Sequence, residues 1–467
     1  MRRSLAITLL VLLSACQGAG RATRIMAPLG NEGEVHVYLD ALPPEAARLG
    51  LAVDLVAVSA GDAAPLPLEV LLPEISGREM ARQRLLAWGR LPPGNYGGLV
   101  VRFRRATLRG GDETSDLLVA AEPARVALPL AVGAGRGTVV SLALDVARSM
   151  GPSHQFTPVL TASVPGTGVV PVTGYCTNTA MASVTVFDRH ARRALALYPV
   201  GREPEGIALD AARNRAFVAL AGDDQVELID LATGTDLGRV MLRTGDRPRE
   251  LALTPDGRQL LVLNEGSNSL AFVDAEGLVE VGRVQTGLEP RALLLDRSGR
   301  RAYALSRRSN AITVVDVAYR AVVATFATEA EPVRAQVSRA GDRLYVIMVG
   351  SPYMVVYGLP DLAVKTRIFV GLGGGAVKVD PRSDLVYVAS RDDGDVQLFD
   401  PLSTLPFNRF RLPGGSSYLT IDDVENALVA LVPEERTVAY LDLASRRVVG
   451  QVECGLDPYQ VAVVGER

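Results

Sequence analysis

The sequence predicts an all-β protein: a seven-bladed β-propeller closed by its carboxy-terminal strand, preceded by a small antiparallel β-sandwich. Three observations predict it. An apolar–apolar–Asp triplet ends a strand at Asp188, Asp230, Asp274, Asp316, Asp400 and Asp442, and Tyr357-Gly358 holds the place between the fourth and the fifth. A Gly-x-x-Pro turn repeats in step with it, as Gly201–Pro204, Gly245–Pro248, Gly287–Pro290 and Gly455–Pro458, with Pro332 continuing the series and Gly374 and Ser416 as degenerate copies. Both markers advance by 42 residues, with one step of 44. The third observation is that the two ends of the repeat region carry complementary half-units.

Each unit reads as four short strands. In the unit of Asp274 these are Glu250 to Thr254, Gln259 to Asn264, Ser269 to Asp274 and Gly282 to Gln285. Thr254-Pro-Asp-Gly257 is a tight turn, with Gly257 free to take a positive φ. Four strands per unit, repeated seven times, fit a propeller. A helical solenoid is excluded, because no unit carries a 3.6-residue apolar stripe of the ~10–12 residues a helix needs. At the ends, Val172 to Asn178 is a second strand with no first strand before it. Pro458 to Val464 is a first strand with no second strand after it. Pairing them closes the ring and removes two open edges. The fifth unit departs from the pattern at Ser351-Pro-Tyr-Met354 and Tyr357-Gly-Leu-Pro360, so its face is expected to be irregular.

Tyr175-Cys-Thr-Asn178 stands where the YVTN repeat family has Tyr-Val-Thr-Asn. The Gly-x-x-Pro turns, the Pro255-Asp-Gly257 turn and Ile312-Thr-Val-Val-Asp316 follow in that family's order. Over the repeat region the chain resembles a YVTN/YncE-type propeller of the bacterial envelope. The resemblance implies the fold firmly and names no ligand.

Ahead of the repeat, Arg2 and Arg3 precede the apolar run Leu5 to Leu13 and then Leu13-Ser-Ala-Cys16. The run is too short for a spanning helix, which needs about 20 residues, and it has the form of a signal peptide. The four residues resemble the bacterial lipobox, which implies cleavage before Cys16 and lipid on its thiol. Gln17, where Asp is absent, resembles the pattern of outer-membrane sorting in a Gram-negative source. The expected organisation is a signal peptide over 1–15, a lipidated tether over 16–33, the sandwich over 34–165 and the propeller over 166–467.

Within the sandwich region, Val35 to Leu39, Leu51 to Ser59, Gly98 to Phe103 and Thr138 to Leu144 alternate apolar and polar residues, the pattern of a half-buried antiparallel sheet. Leu91-Pro-Pro-Gly-Asn-Tyr96 resembles the turn that opens a strand in transthyretin-like sandwiches. Leu142 to Val146 with Ser149, and Phe156 to Val159, resemble the end of an uncharacterised lipoprotein domain. Arg78 to Trp88 has helical spacing and is expected as one short helix, with Trp88 in the core rather than stacked on a ligand.

A formal net charge of −3 argues against nucleic acid as a partner. Three His and three Cys leave little for a His/Cys metal site, and there is no haem-attachment motif; no cofactor is expected. The repeated Asp residues suit outer turns, where a carboxylate accepts backbone N–H bonds, better than a cation ring.

The pore mouth is the default site of a propeller. Residues just after each Gly-x-x-Pro turn are expected there: Glu205, Arg249, Glu250, Arg291, Arg334, Tyr418, Tyr459 and Gln460. Such a ring suits an anionic or sugar-like ligand, or a peptide. A solvated rim of internal ion pairs is the alternative. No catalytic residue is assigned. The expectation is a binding or scaffold protein of the envelope, held at the membrane by lipid, with a protein or envelope component as partner. The alternatives are a lactonase-like hydrolase at the mouth, which a cluster of carboxylates there would favour, and a surface adhesin or sensor. Cys176 and Cys454 fall on the two segments that close the ring; a disulfide and two buried thiols both remain open.

Overall fold

The Thr254–Gly257 turn shows how one unit is built. Gly257 sits at φ +69, its N–H bonds to the Thr254 carbonyl at 2.8 Å, and Thr254 Oγ1 donates to Asp256 at 2.6 Å. The turn joins Pro248–Leu253 to Gln259–Asn264, and Ser269–Asp274 and Val279–Gln285 complete an antiparallel four-stranded sheet. In this computed structural model, which describes residues 25–61, 64–110, 113–166 and 170–466, seven such sheets follow one another along the chain. We number them as blades 1 to 7. Blade 1 holds Thr173–Asn178, Ser183–Asp188 and Arg193–Pro199, and blade 7 runs from Tyr418–Asp422 to Val448–Glu453.

Middle strands are buried on both faces rather than alternating. Arg215–Leu220 in blade 2 and Ala427–Val432 in blade 7 are buried at every residue. The reason is that both faces of a blade pack on neighbouring blades. Tyr175, Val184 and Val186 of blade 1 meet Ile207, Val218 and Ile229 of blade 2 in one such layer. Fully burying a side chain of this size contributes about 1.5–3 kcal/mol.

Ring closure is as the half-units require. Pro458–Val463 pairs antiparallel with Thr173–Asn178, through Gly174 with Val463, Tyr175 with Ala462 and Cys176 with Val461. It is the innermost strand of blade 1. Blade 5 is a complete four-stranded sheet from Glu331–Val337 to Val364–Phe369. Its middle strands pair over four residues only, Arg343 to Val346 with Val355 to Gly358, and the Leu359–Pro360 peptide in the turn after Gly358 is cis.

Ahead of the ring, two sheets enclose one apolar core in which Val35, Val37 and Leu39 face Leu51, Val53 and Val56. Both sheets are mixed rather than purely antiparallel. Gly33–Leu39 runs parallel to Gly137–Leu144, and Gln155–Phe156 runs parallel to Glu113–Val119. The helix expected over Arg78 to Trp88 is absent. Only Gly77–Glu79 forms a 3-10 turn, and Arg84–Leu91 is a strand that pairs His36 with Trp88. This strand is buried on two sides: Leu86 points into the sandwich core and Leu85 toward the propeller. A strand covered on both faces loses its period of two, so its apolar run imitates a helix face.

The sandwich straddles the junction of blades 1 and 7. Tyr38, Leu85 and Val139 pack on Ala194 and Leu197 of blade 1, and Ala194 N–H donates to Gln83 at 2.9 Å. On the other side Arg84 Nε donates to Glu453 of blade 7 at 2.5 Å. Cys16, the expected signal peptide and the first part of the tether lie outside the described residues. No described helix is long and apolar enough to cross a membrane.

Candidate functional site at the mouth of the ring

Six of the seven inner strands break register near their first residues, for example between Pro204 and Ile207, Pro248 and Glu250, and Pro332 and Arg334. A bulge inserts an extra residue and re-aims its side chain. Here it follows the Gly-x-x-Pro turn, and it sets Glu205, Arg249, Arg291 and Tyr459 along one mouth cavity of about 430 Å³. The bulge residues of blades 5 and 6 at this cavity are Val333 and Gly375, and Ser417 takes the corresponding place in blade 7, whose inner strand keeps its register. Gly375 cannot be larger, since a Cβ there would lie 2.1 Å from the Ser416 carbonyl oxygen.

The candidate residues come together, and most hold one another. Arg249 Nη1 lies 3.2 Å from Glu205 and 2.6 Å from Glu265. Arg291 bonds Glu289 at 2.6 Å and meets Glu265 at 3.1 Å, and Arg307 links Glu289 to Glu331. Acid and arginine thus alternate from blade 2 to blade 5. Deeper in, Arg334 and the Tyr459 hydroxyl both donate to Glu250 Oε1, at 2.7 and 2.9 Å. Gln460 donates to the Tyr418 hydroxyl at 3.1 Å and accepts from Ile207 N–H at 3.0 Å. Arg249 lies over the Tyr459 ring at 5.0 Å and Arg334 over the Tyr418 ring at 5.5 Å. A smaller chamber of about 100 Å³ lies beneath, where Lys378 and Glu466 pair at 2.9 Å.

The electrostatics follow from burial. Glu205 is pushed up to about 7, because burial outweighs Arg249. Its Oε2 accepts no hydrogen bond, and the Nε groups of Arg249 and Arg334 donate none. Burial, then the Glu250 carboxylate, hold Tyr459 well above the usual phenol range, so it serves as a donor.

Residues that the Gly-x-x-Pro rule misses also line the cavity: Thr179, Arg307, Val349, Arg391, Pro433 and Asp457. The first five of these follow or end a second strand; Arg307, Val349, Arg391 and Pro433 are 42 residues apart, and Thr179 is three steps earlier, one of them the step of 44, so the signal was present without a marker residue to flag it.

The repeated Asp residues sit in outer turns. Asp188 accepts from His190 and Ala191 N–H, Asp230 from Ala232 and Thr233, and Asp274 from Glu276 and Gly277. Asp316, Asp400 and Asp442 each accept one such bond. Among the described residues no group of His, Cys, Asp or Glu is arranged to hold a metal ion.

Cys176 and Cys454 are free thiols, both buried, rather than a disulfide. Cys454 does not lie in the strand that pairs with Cys176. It follows the outer strand of blade 7, and its N–H bonds to the Arg436 carbonyl at 2.8 Å. The two meet across the blade 1–7 junction, where burial and the neighbouring Cys176 push the Cys454 thiol well up.

Set beside known proteins, residues 226–373 match the model of the choice-of-anchor I domain. No curated protein matches the chain in sequence. The fold is similar to that of a functionally unknown protein from Desulfotomaculum acetoxidans, with 13 % identity, a TM-score of 0.55, and 62 % of this chain and 98 % of that one covered. It is also similar to the dihydro-heme d1 dehydrogenase NirN in complex with DHE, with 16 % identity, a TM-score of 0.51, and 64 % and 76 % covered. A hydrazine synthase chain of Kuenenia stuttgartiensis shares 20 % identity at a TM-score of 0.48, with 54 % and 87 % covered. The chain is a seven-bladed β-propeller repeat protein carrying a β domain at its amino terminus.

Proposed function

We propose that this protein is a lipid-anchored propeller of the bacterial envelope, of YVTN/YncE type, that binds a protein or envelope component at its mouth without chemical conversion. One observation carries the binding reading: the carboxylates of a concave polar mouth are engaged by arginines, Glu205 and Glu265 by Arg249, Glu289 by Arg291 and Glu250 by Arg334. Carboxylates held this way shape a surface and are poorly placed to bind a metal. The location rests on the basic and apolar leader and on Leu13-Ser-Ala-Cys16. Two signals make a stable anchor where one lipid chain holds weakly. With Gln17 after the lipidated Cys, the destination in a Gram-negative cell is the outer membrane.

The test has two arms. A click-tagged fatty acid is fed to cells making the wild-type chain or Cys16→Ser, and label is expected on the wild type alone. The wild-type protein is then crosslinked in its own envelope and captured, against Arg249→Ala with Arg334→Ala. A partner lost from the double variant supports binding at the mouth; equal capture by both overturns it.

One observation favours a hydrolase instead: Glu205, held near neutrality at about 7 on the cavity wall, has the character of a general base. Ester or lactone turnover that disappears in Glu205→Gln would replace the binding reading.

A further inference from the structure

The ion-pair chain around the mouth leaves two charges unmatched, one in blade 6 and one in blade 1. Arg391, in blade 6, lines the cavity, is exposed and has no acidic partner among the described residues. Its neighbour Arg334 in blade 5 spends one nitrogen on Glu250 and leaves Nε without a partner. In blade 1, Asp457 lines the cavity at the turn into the closing strand, with no cation bound to it among the described residues. In blade 2, by contrast, Glu205 is already held by Arg249 at 3.2 Å. In a ring of seven sheets, only blade 7 stands between blade 6 and blade 1.

Pro332, Val333, Val349 and Pro433 add apolar surface to the same wall, and Gly375 and Ser417 leave room beside them. A cavity of about 430 Å³ falls within the ordinary range for small ligands, roughly 300–1,000 Å³. An unpaired acid and an unpaired cation lining one hollow ask for a molecule with both charges.

We infer that the mouth binds a dipolar ligand, an amino acid or short peptide, with its ammonium toward Asp457 and its carboxylate toward Arg391, beside Arg334. This deepens the binding reading above and rests on it. Recognition at both ends selects free termini over a segment inside a longer chain. Arg391 supplies a planar fork for the carboxylate, while the prolines and valines cover small apolar side chains.

The experiment is calorimetric titration of the full chain carrying Cys16→Ser with trialanine, N-acetyl-trialanine and trialanine amide. Trialanine is expected to bind at least tenfold more tightly than either capped form. Arg391→Gln should erase the preference over the amide, and Asp457→Asn the preference over the acetylated peptide, each with an unchanged melting temperature. Equal affinity for the three peptides, or no binding of trialanine, overturns the inference. If trialanine fails while the mouth still captures an envelope partner, the inference alone falls; if capture fails as well, the binding reading falls with it.

Discussion

Arg189 Nη1 donates to Asp422 Oδ1 at 2.7 Å, with side chains only 2 % and 0 % exposed. Arg189 follows Ser183–Asp188 of blade 1, and Asp422 ends the inner strand of blade 7. A buried ion pair therefore lies across the same junction that the carboxy-terminal strand closes. Breaking a buried pair leaves an uncompensated charge, at a cost of about 3–5 kcal/mol. Arg189→Met is expected to lose that much in urea unfolding. A loss below about 1 kcal/mol would place the pair among weak surface bridges.

Removing residues 455–467 takes away the inner strand of blade 1 and uncovers Thr173–Asn178 along its whole edge. The truncated chain is expected to lose its cooperative thermal transition and to aggregate, since an apolar unpaired edge recruits other chains. Val461→Asp is the milder test, because Val461 is wholly buried opposite Cys176. A melting temperature within a few degrees of wild type for either variant would contradict closure by this strand.

Glu205 makes stability depend on pH with a definite sign. Its ordinary value is 4.5 and its folded value is about 7, so the folded state holds a proton that the unfolded chain releases. Its contribution to stability is greatest below about pH 4.5 and falls as pH rises toward 7 and beyond. The shift corresponds to about 3 kcal/mol at 1.36 kcal/mol per pKa unit. Glu205→Gln should therefore be more stable relative to wild type at pH 8 than at pH 5. Parallel stability curves across that range would remove Glu205 from the titration.

Both thiols at the junction are buried, and a thiol held well above its usual range is a poor nucleophile. In the Cys16→Ser protein, a thiol reagent should label no cysteine in the native state and two per chain after unfolding without reductant. Finding none after unfolding would show a Cys176–Cys454 disulfide instead.

Much of this architecture is legible in the sequence because it is written locally. Gly-x-x-Pro turns and strand-ending Asp residues recur at one spacing, so blade number and strand order follow without knowledge of distant contacts. The same turns located Arg249, Arg291 and Tyr459. Arg391 and Arg307 escaped because they follow a strand with no marker residue beside them. Arg84–Leu91 misled for a different reason: the sandwich buries one face and the propeller the other, and no local rule anticipates the second covering. The parallel pairing of Gly33–Leu39 with Gly137–Leu144 was equally hidden, since it joins segments separated by most of the sandwich.

By itself, then, the amino-acid order determined the count of blades, the closing strand and the turns that present the mouth. Those depend on backbone chemistry within a few residues and on a period. Only the tertiary structure decided which charges meet, that Cys454 reaches Cys176 from the next blade, and that Arg391 and Asp457 stand unpaired around one hollow. Such pairings depend on which blades face each other once the ring shuts, a distance the linear chain does not carry.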